Sequence, residues 1–89
     1  MQRLHYLVCY DICNPRRLGR IGRVGRKMAM PLQYSVLYLY GTERDLDRLL
    51  ELLELEMDDR VDDIRAYRIP DLGRIETIGQ NWLPESIFA

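Results

Sequence analysis

Residues 4–26 read LHYLVCYDICNPRRLGRIGRVGR, and the change of character at their middle decides the fold. Leu4 to Ile12 (LHYLVCYDI) is short, rich in β-forming residues and nearly continuous in apolar side chains. It reads as a strand buried on both faces and therefore central in a sheet. Asp11 stands where that strand ends and is the only acid before Glu43. Asn14-Pro15 then signals a turn and a helix start, with proline at the first helical position and asparagine as its cap. From Arg16 to Met30 the chain carries the repeat RLG-RIG-RVG-R. At 3.6 residues per turn, Leu18, Ile21, Val24 and Met28 share one stripe, while Arg16, Arg20, Arg23, Arg26 and Lys27 gather opposite. Gly19, Gly22 and Gly25 oppose this amphipathic helix, each by about 1 kcal/mol relative to alanine. Packing, rather than propensity, has to form it. The glycines match neither G-x-G-x-x-G nor the P-loop pattern, so no nucleotide cradle is read here.

Working outward, Pro31 is expected to close the helix. Leu32 to Gly41 (LQYSVLYLYG) is β-branched and aromatic, and reads as one long strand or as two short ones broken near Tyr34. Thr42 with Asp45 three residues on resembles a capping box. Leu46, Leu49, Leu50, Leu53 and Met57 then form the apolar face of a second helix. Arg60 to Asp63 turns the chain, Ile64 to Ile69 reads as a strand ended by Pro70-Asp71, and Arg74 to Gly79 as a last short strand. The tail from Gln80 to Ala89 carries Trp82, Pro84, Ile87 and Phe88, apolar groups that need a surface. The expected architecture is α+β: a ferredoxin-like βαββαβ domain over residues 1–79 with an extra C-terminal strand, and a docking tail over 80–89. An extra strand has no obvious place on its own sheet. Added to a partner's sheet edge it would protect that edge and make a symmetric homodimer.

Composition bounds these readings. Eighty-nine residues make one domain, and 47% apolar with 30% charged residues is ordinary globular composition, which argues against disorder. Cys9 and Cys13 form neither a C-x-x-C pair nor a disulfide framework, and no second cluster would complete a zinc site, so both read as structural. With no secretory signal and no membrane-length apolar run, a reduced, cytoplasmic protein is expected. The net charge of −1 conceals a polarity: residues 1–42 carry +6 and residues 43–89 carry −7. A localised basic face of this kind suits nucleic acid, whereas the bulk charge says little about partners.

Three segments together resemble the CRISPR-associated protein two family, over roughly residues 4–79. Tyr10-Asp11-Ile12 closes an apolar first strand ahead of an Arg-rich helix. Gln33-Tyr34-Ser35-Val36 is similar to the family's Gln-x-Ser-Val-Phe, with Leu37 where the family usually has Phe. Asp63-Ile64-Arg65-Ala66-Tyr67 resembles its Asp-x-Val-Arg-x-Tyr strand. The Gly-Arg repeat is not a recognised hallmark of the family. The resemblance implies a homodimer with two copies of Asp11 facing each other near the twofold axis. It also implies Mg²⁺-dependent phosphodiester hydrolysis on RNA or DNA, and a bridging role between dimers of the CRISPR integrase in spacer acquisition, with prespacer duplex DNA held across a basic surface. By that likeness Trp82, Ile87 and Phe88 are candidate docking residues for the partner subunit and the integrase.

Asp11 is thus the candidate catalytic residue and Mg²⁺ ligand, because a hard cation takes carboxylate oxygens while keeping several waters. The plainer reading is that Asp11 caps the following helix or pairs with an arginine. Arg16, Arg17, Arg20, Arg23, Arg26 and Lys27 are the candidate phosphate contacts. Their plainer reading is a solvated face, or salt bridges to Asp47, Glu51 and Glu54 of the second helix. Ser35 could reach phosphate or a metal's water shell, but a serine in a strand more often faces the pleat. His5 reads as packing. The tyrosines at 6, 10, 34, 38, 40 and 67 could stack bases, yet strands favour tyrosine and most are expected in the core or on sheet faces. Rival readings are a catalytically silent adaptor of the same family and a toxin-type ribonuclease of the related virulence-associated family. An RNA-recognition domain lacks its signature segment here, and a small-ligand regulatory domain has no supporting feature.

Overall fold

The computed structural model describes residues 2–70. Their element order is β1 (Leu4–Asp11), α1 (Pro15–Gly25), β2 (Met30–Gln33), β3 (Val36–Gly41), α2 (Glu43–Glu54) and β4 (Asp63–Ile69). The strands form one sheet in the order β2-β3-β1-β4, with every neighbouring pair antiparallel. This is the βαββαβ arrangement expected from the alternation of strands and helices. β3 lies between β1 and β2, splitting the first βαβ unit. β1 is central, with β3 on one side and β4 on the other, as its continuous apolar run requires. The expected strand at Arg74–Gly79 and the tail bearing Trp82, Ile87 and Phe88 lie outside the described residues.

Alternation along the strands sorts side chains onto two faces. Tyr6, Val8 and Tyr10 of β1 join Leu37 and Leu39 of β3 on the helix-covered face, where Ile21 of α1 and Leu49 and Leu53 of α2 complete the core. On the helix-free face Leu7, Val36 and Ile69 form a second cluster, flanked by Cys9, Leu32, Tyr38 and Tyr67. His5 lies on this face, where its Nδ1 and the Tyr38 hydroxyl share a 2.7 Å hydrogen bond.

Both helix starts form as their residues dictate. The Asn14 side chain accepts from the Arg16 and Arg17 amides at 2.9 and 3.0 Å, with Pro15 in the first turn. Thr42 and Asp45 form a reciprocal capping box, with bonds of 2.9 and 3.2 Å.

Four expectations need correction. α1 ends at Gly25, not at Met30, because the Met28 and Ala29 amides both turn back onto the Gly25 carbonyl. Pro31 does not close the helix but sits inside β2, an edge strand that tolerates its missing N–H. Of the two readings left open for Leu32–Gly41, the structure takes the second, two strands with Tyr34-Ser35 as the loop between them. Ser35 is therefore no pleat-facing strand residue: its φ of 68° places it in the left-handed region. Likewise α2 stops at Glu54, and Met57 packs against the core from beyond its end.

Candidate functional site

Asp11 closes β1, and the alternation that buries Leu7 places it on the helix-free face. It is exposed, and among the described residues its carboxylate makes no hydrogen bond or ion pair. The plainer alternatives for this residue are not realised: Asn14 caps α1, Arg17 and Arg20 pair with Asp62 and Glu56, and none of the ion pairs among the described residues involves Asp11. Its partner in the register is Asp63 at the start of β4. The Asp63 carboxylate is held by Arg65 Nε at 2.7 Å. Two exposed carboxylates thus meet at this sheet end, and Asp11 is the one left without an ion pair.

The segment leaving Asp11 is fastened by an acid that the sequence reading missed. Asp62, in the loop before β4, has a carboxylate with no exposed surface. It accepts from the Cys13 amide at 2.8 Å, from Arg17 Nε and Nη2 at 2.8 and 3.1 Å, and from the Asp58 amide at 2.9 Å. The Cys13 thiol adds a contact to the Val61 carbonyl at 3.0 Å. A buried carboxylate is sustained only by such full satisfaction and an opposite charge. Arg17 bonding, helped by the two amides, outweighs burial and holds the Asp62 carboxyl well below the usual carboxylate range. Asp62 therefore clamps the β1–α1 loop to the α2–β4 loop and sets how Asp11 emerges. The signal was in the sequence. With Ile64 in the valine position of Asp-x-Val-Arg-x-Tyr, the acid falls at Asp62, not Asp63.

The same network separates Arg17 from the other basic residues. Arg17 is committed to Asp62, and its side chain is only 20% exposed. Arg16, Arg20, Arg23, Arg26 and Lys27 are exposed. Arg20 pairs with Glu56 at 3.3 Å, half-exposed, and none of the expected bridges to Asp47, Glu51 or Glu54 forms among the described residues. A basic strip therefore runs along α1, its charge largely unneutralised. Gly22 and Gly25 are the buried glycines of α1 and bring it close to the sheet.

No group of three or more His, Cys, Asp or Glu among the described residues could hold a metal ion. Asp11 alone is one hard-oxygen ligand, and Mg²⁺ binds through one or two carboxylates together with waters and substrate phosphates. Cys9 is half-buried, and burial pushes its thiol up to about 11, which fits a structural role. No helix among the described residues is long and apolar enough to cross a membrane.

The family model for CRISPR associated protein Cas2 matches residues 4–74. The chain belongs to the Cas2 family. A relative from Nitrosomonas europaea named CRISPR-associated endoribonuclease Cas2 1 is 46% identical over 83 residues, covering 92% of this chain and 78% of its own length. A second, CRISPR-associated endoribonuclease Cas2 2 from Thermodesulfovibrio yellowstonii, is 38% identical over 86% of this chain and 85% of its own. Among solved structures, a hypothetical protein from Thermus thermophilus superposes with a TM-score of 0.74 at 26% identity, over 79% of this chain and 85% of that one. Cas2 from Streptococcus pyogenes superposes with a TM-score of 0.71 at 22% identity, over 82% and 94%, a likeness of fold. The family resemblance and the ferredoxin-like reading of the sequence are both borne out.

Proposed function

We propose that this Cas2-family chain is a CRISPR-adaptation subunit that binds nucleic acid as a homodimer and cleaves phosphodiester bonds with Mg²⁺ at paired copies of Asp11. The observation that carries the reading is Asp11 itself, an open carboxylate at the end of the central strand, beside a helix that presents a basic strip. The names of the relatives, both endoribonucleases, support hydrolysis. The helix-free face, which also carries Asp11 at its end, offers the apolar side chains of Leu32, Tyr38 and Tyr67, the two tyrosines level with Leu7 at the middle of β1, a surface suited to a second copy. That copy would bring a second carboxylate without an ion pair. When bound there, Mg²⁺ would supply positive charge for a phosphate oxygen and acidify a water. Asp62 and Arg17 hold the loop after Asp11, while Arg16, Arg20, Arg23, Arg26 and Lys27 take phosphates and so position the strand. The integrase remains the proposed protein partner.

The test compares labelled single-stranded RNA and duplex DNA, with Mg²⁺ or chelator, on the wild type and Asp11→Asn. Metal-dependent cleavage that falls at least about a hundredfold in Asp11→Asn places Asp11 in the hydrolytic site. Cleavage that persists in Asp11→Asn removes it. One specific observation favours a second reading, the silent adaptor: no group of three or more His, Cys, Asp or Glu among the described residues could hold a metal ion, and Asp63 beside Asp11 is engaged by Arg65. That reading expects no cleavage by the wild type, with nucleic-acid binding intact in Asp11→Asn.

A further inference from the structure

Tyr34 is 81% exposed at the tip of the β2–β3 hairpin. Single exposed hydrophobic residues are ordinary, but this one is held in place. Ser35 adopts φ 68° without being glycine, a conformation that persists only where the surroundings over-determine it. The fastening is visible: the Ser35 carbonyl accepts a 3.0 Å hydrogen bond from the Tyr10 amide, so the hairpin tip is tied to the β1 end that carries Asp11. Tyr10 turns its ring towards α1. A Cβ at Gly22 would stand 3.5 Å from the Tyr10 hydroxyl and 3.2 Å from Arg26 Nη1, which puts phenol and guanidinium over the same glycine. Burial raises the Tyr10 hydroxyl's pKa, with Arg26 opposing and Tyr34 adding to the shift, so the Tyr34 phenol also lies within electrostatic reach. Arg26 makes no ion pair among the described residues. The basic strip of α1 therefore ends at an aromatic ring on a fixed turn.

We propose that Tyr34 is a stacking platform for an unpaired base and that Arg26 holds the adjoining phosphate, so that this end of the strip recognises single-stranded nucleic acid. The proposal rests on the reading that α1 binds nucleic acid. An open aromatic face receives any base, because every base has a π-face, whereas blunt duplex keeps its bases stacked and offers only phosphates. The ring's high exposure is what such a role needs and what sheet packing does not.

The experiment measures fluorescence anisotropy of the full chain with short labelled single strands, RNA and DNA, and with blunt duplex DNA, across a salt series. Tyr34→Ala is expected to weaken single-strand binding by about five- to a hundredfold, with the salt slope unchanged. Duplex binding stays within about twofold, and Tyr34→Phe stays near wild type on every ligand because stacking survives. Arg26→Ala weakens both ligands and reduces the salt slope by about 0.7 to 0.9. Tyr34→Ala binding single strands as tightly as wild type, while Arg26→Ala weakens them, would overturn this proposal and leave the nucleic-acid reading standing. Equal losses in Tyr34→Phe and Tyr34→Ala would overturn it too. A wild type with no salt-dependent binding overturns both. The RNA and DNA arms identify the sugar that the site accepts.

Discussion

Alanine at Gly19 and at Gly25 should move stability in opposite directions, although the repeat RLG-RIG-RVG gives the two glycines the same local sequence. Helix propensity alone favours both changes, by up to about 1 kcal/mol each. At Gly19 the new methyl meets only Arg23 Nη1, at 3.4 Å, the end of an exposed side chain that can move away. About 0.5–1 kcal/mol of the propensity gain should survive there. Gly25 is buried at the end of α1, and its methyl would be driven into Leu37 Cδ1, with Cδ2 and Cγ at 3.5 Å. Leu37 has no exposed surface, so it has nowhere to swing. Overpacking of this kind costs about 1–3 kcal/mol, only partly offset at a helix end, for a net loss of about 1–2 kcal/mol. In a domain of this size that is a melting temperature about 5–15 °C lower for Gly25→Ala, and about 3–6 °C higher for Gly19→Ala. Thermal unfolding followed by far-ultraviolet circular dichroism reads both. A double-mutant cycle with Leu37→Val supplies the cause, since trimming Leu37 should cost less in Gly25→Ala than in the wild type. If the two alanines shift the melting temperature the same way, the close approach of α1 to β3 is not what controls Gly25.

The clamp at Asp62 predicts a pH signature. Because the folded carboxyl lies below its unfolded value, its stabilisation is complete above about pH 4 and is lost as the pH falls towards the folded value. Asp62→Asn should be less stable at neutral pH and show a shallower acid limb in urea midpoints measured against pH; parallel curves would remove Asp62 from the acid response. The basic residues should also divide by role. Arg23→Ala should leave the melting temperature within a few degrees and lower the salt slope of nucleic-acid binding by about 0.7 to 0.9. Arg17→Ala should destabilise the fold by orphaning Asp62 while leaving that slope unchanged. A slope that falls equally in both would return Arg17 to the phosphate strip.

Much of this protein was legible from residue order, because the signals are local. The apolar run of Leu4–Ile12 marks a central strand, Asn14-Pro15 and Thr42-x-x-Asp45 mark helix starts, and Asp11 is conspicuous as a lone acid among basic residues. These depend on hydrogen bonds within a few residues and on one-dimensional periodicity. The helix end was not legible: the stripe of Val24 and Met28 continues past Gly25, and only the demand that Met30 pair with Tyr38 pulls the chain into a strand. Nor was the division among the arginines. Arg17 and Arg20 look equivalent along the helix, and Arg17 is removed from the strip by Asp62, forty-five residues away. Tyr34 stands outside the sheet because a two-residue turn, tied to Tyr10, displaces it from the pleat that the tyrosines of β1 and β3 occupy. Residue order by itself was enough for the succession of strands and helices in residues 4–69 and for where the charge lies, but not for where α1 ends and β2 begins. Tertiary structure alone decided which charged and aromatic groups are consumed in holding the fold and which are left for a ligand, since burial and long-range pairing exist only once β4 lies against β1.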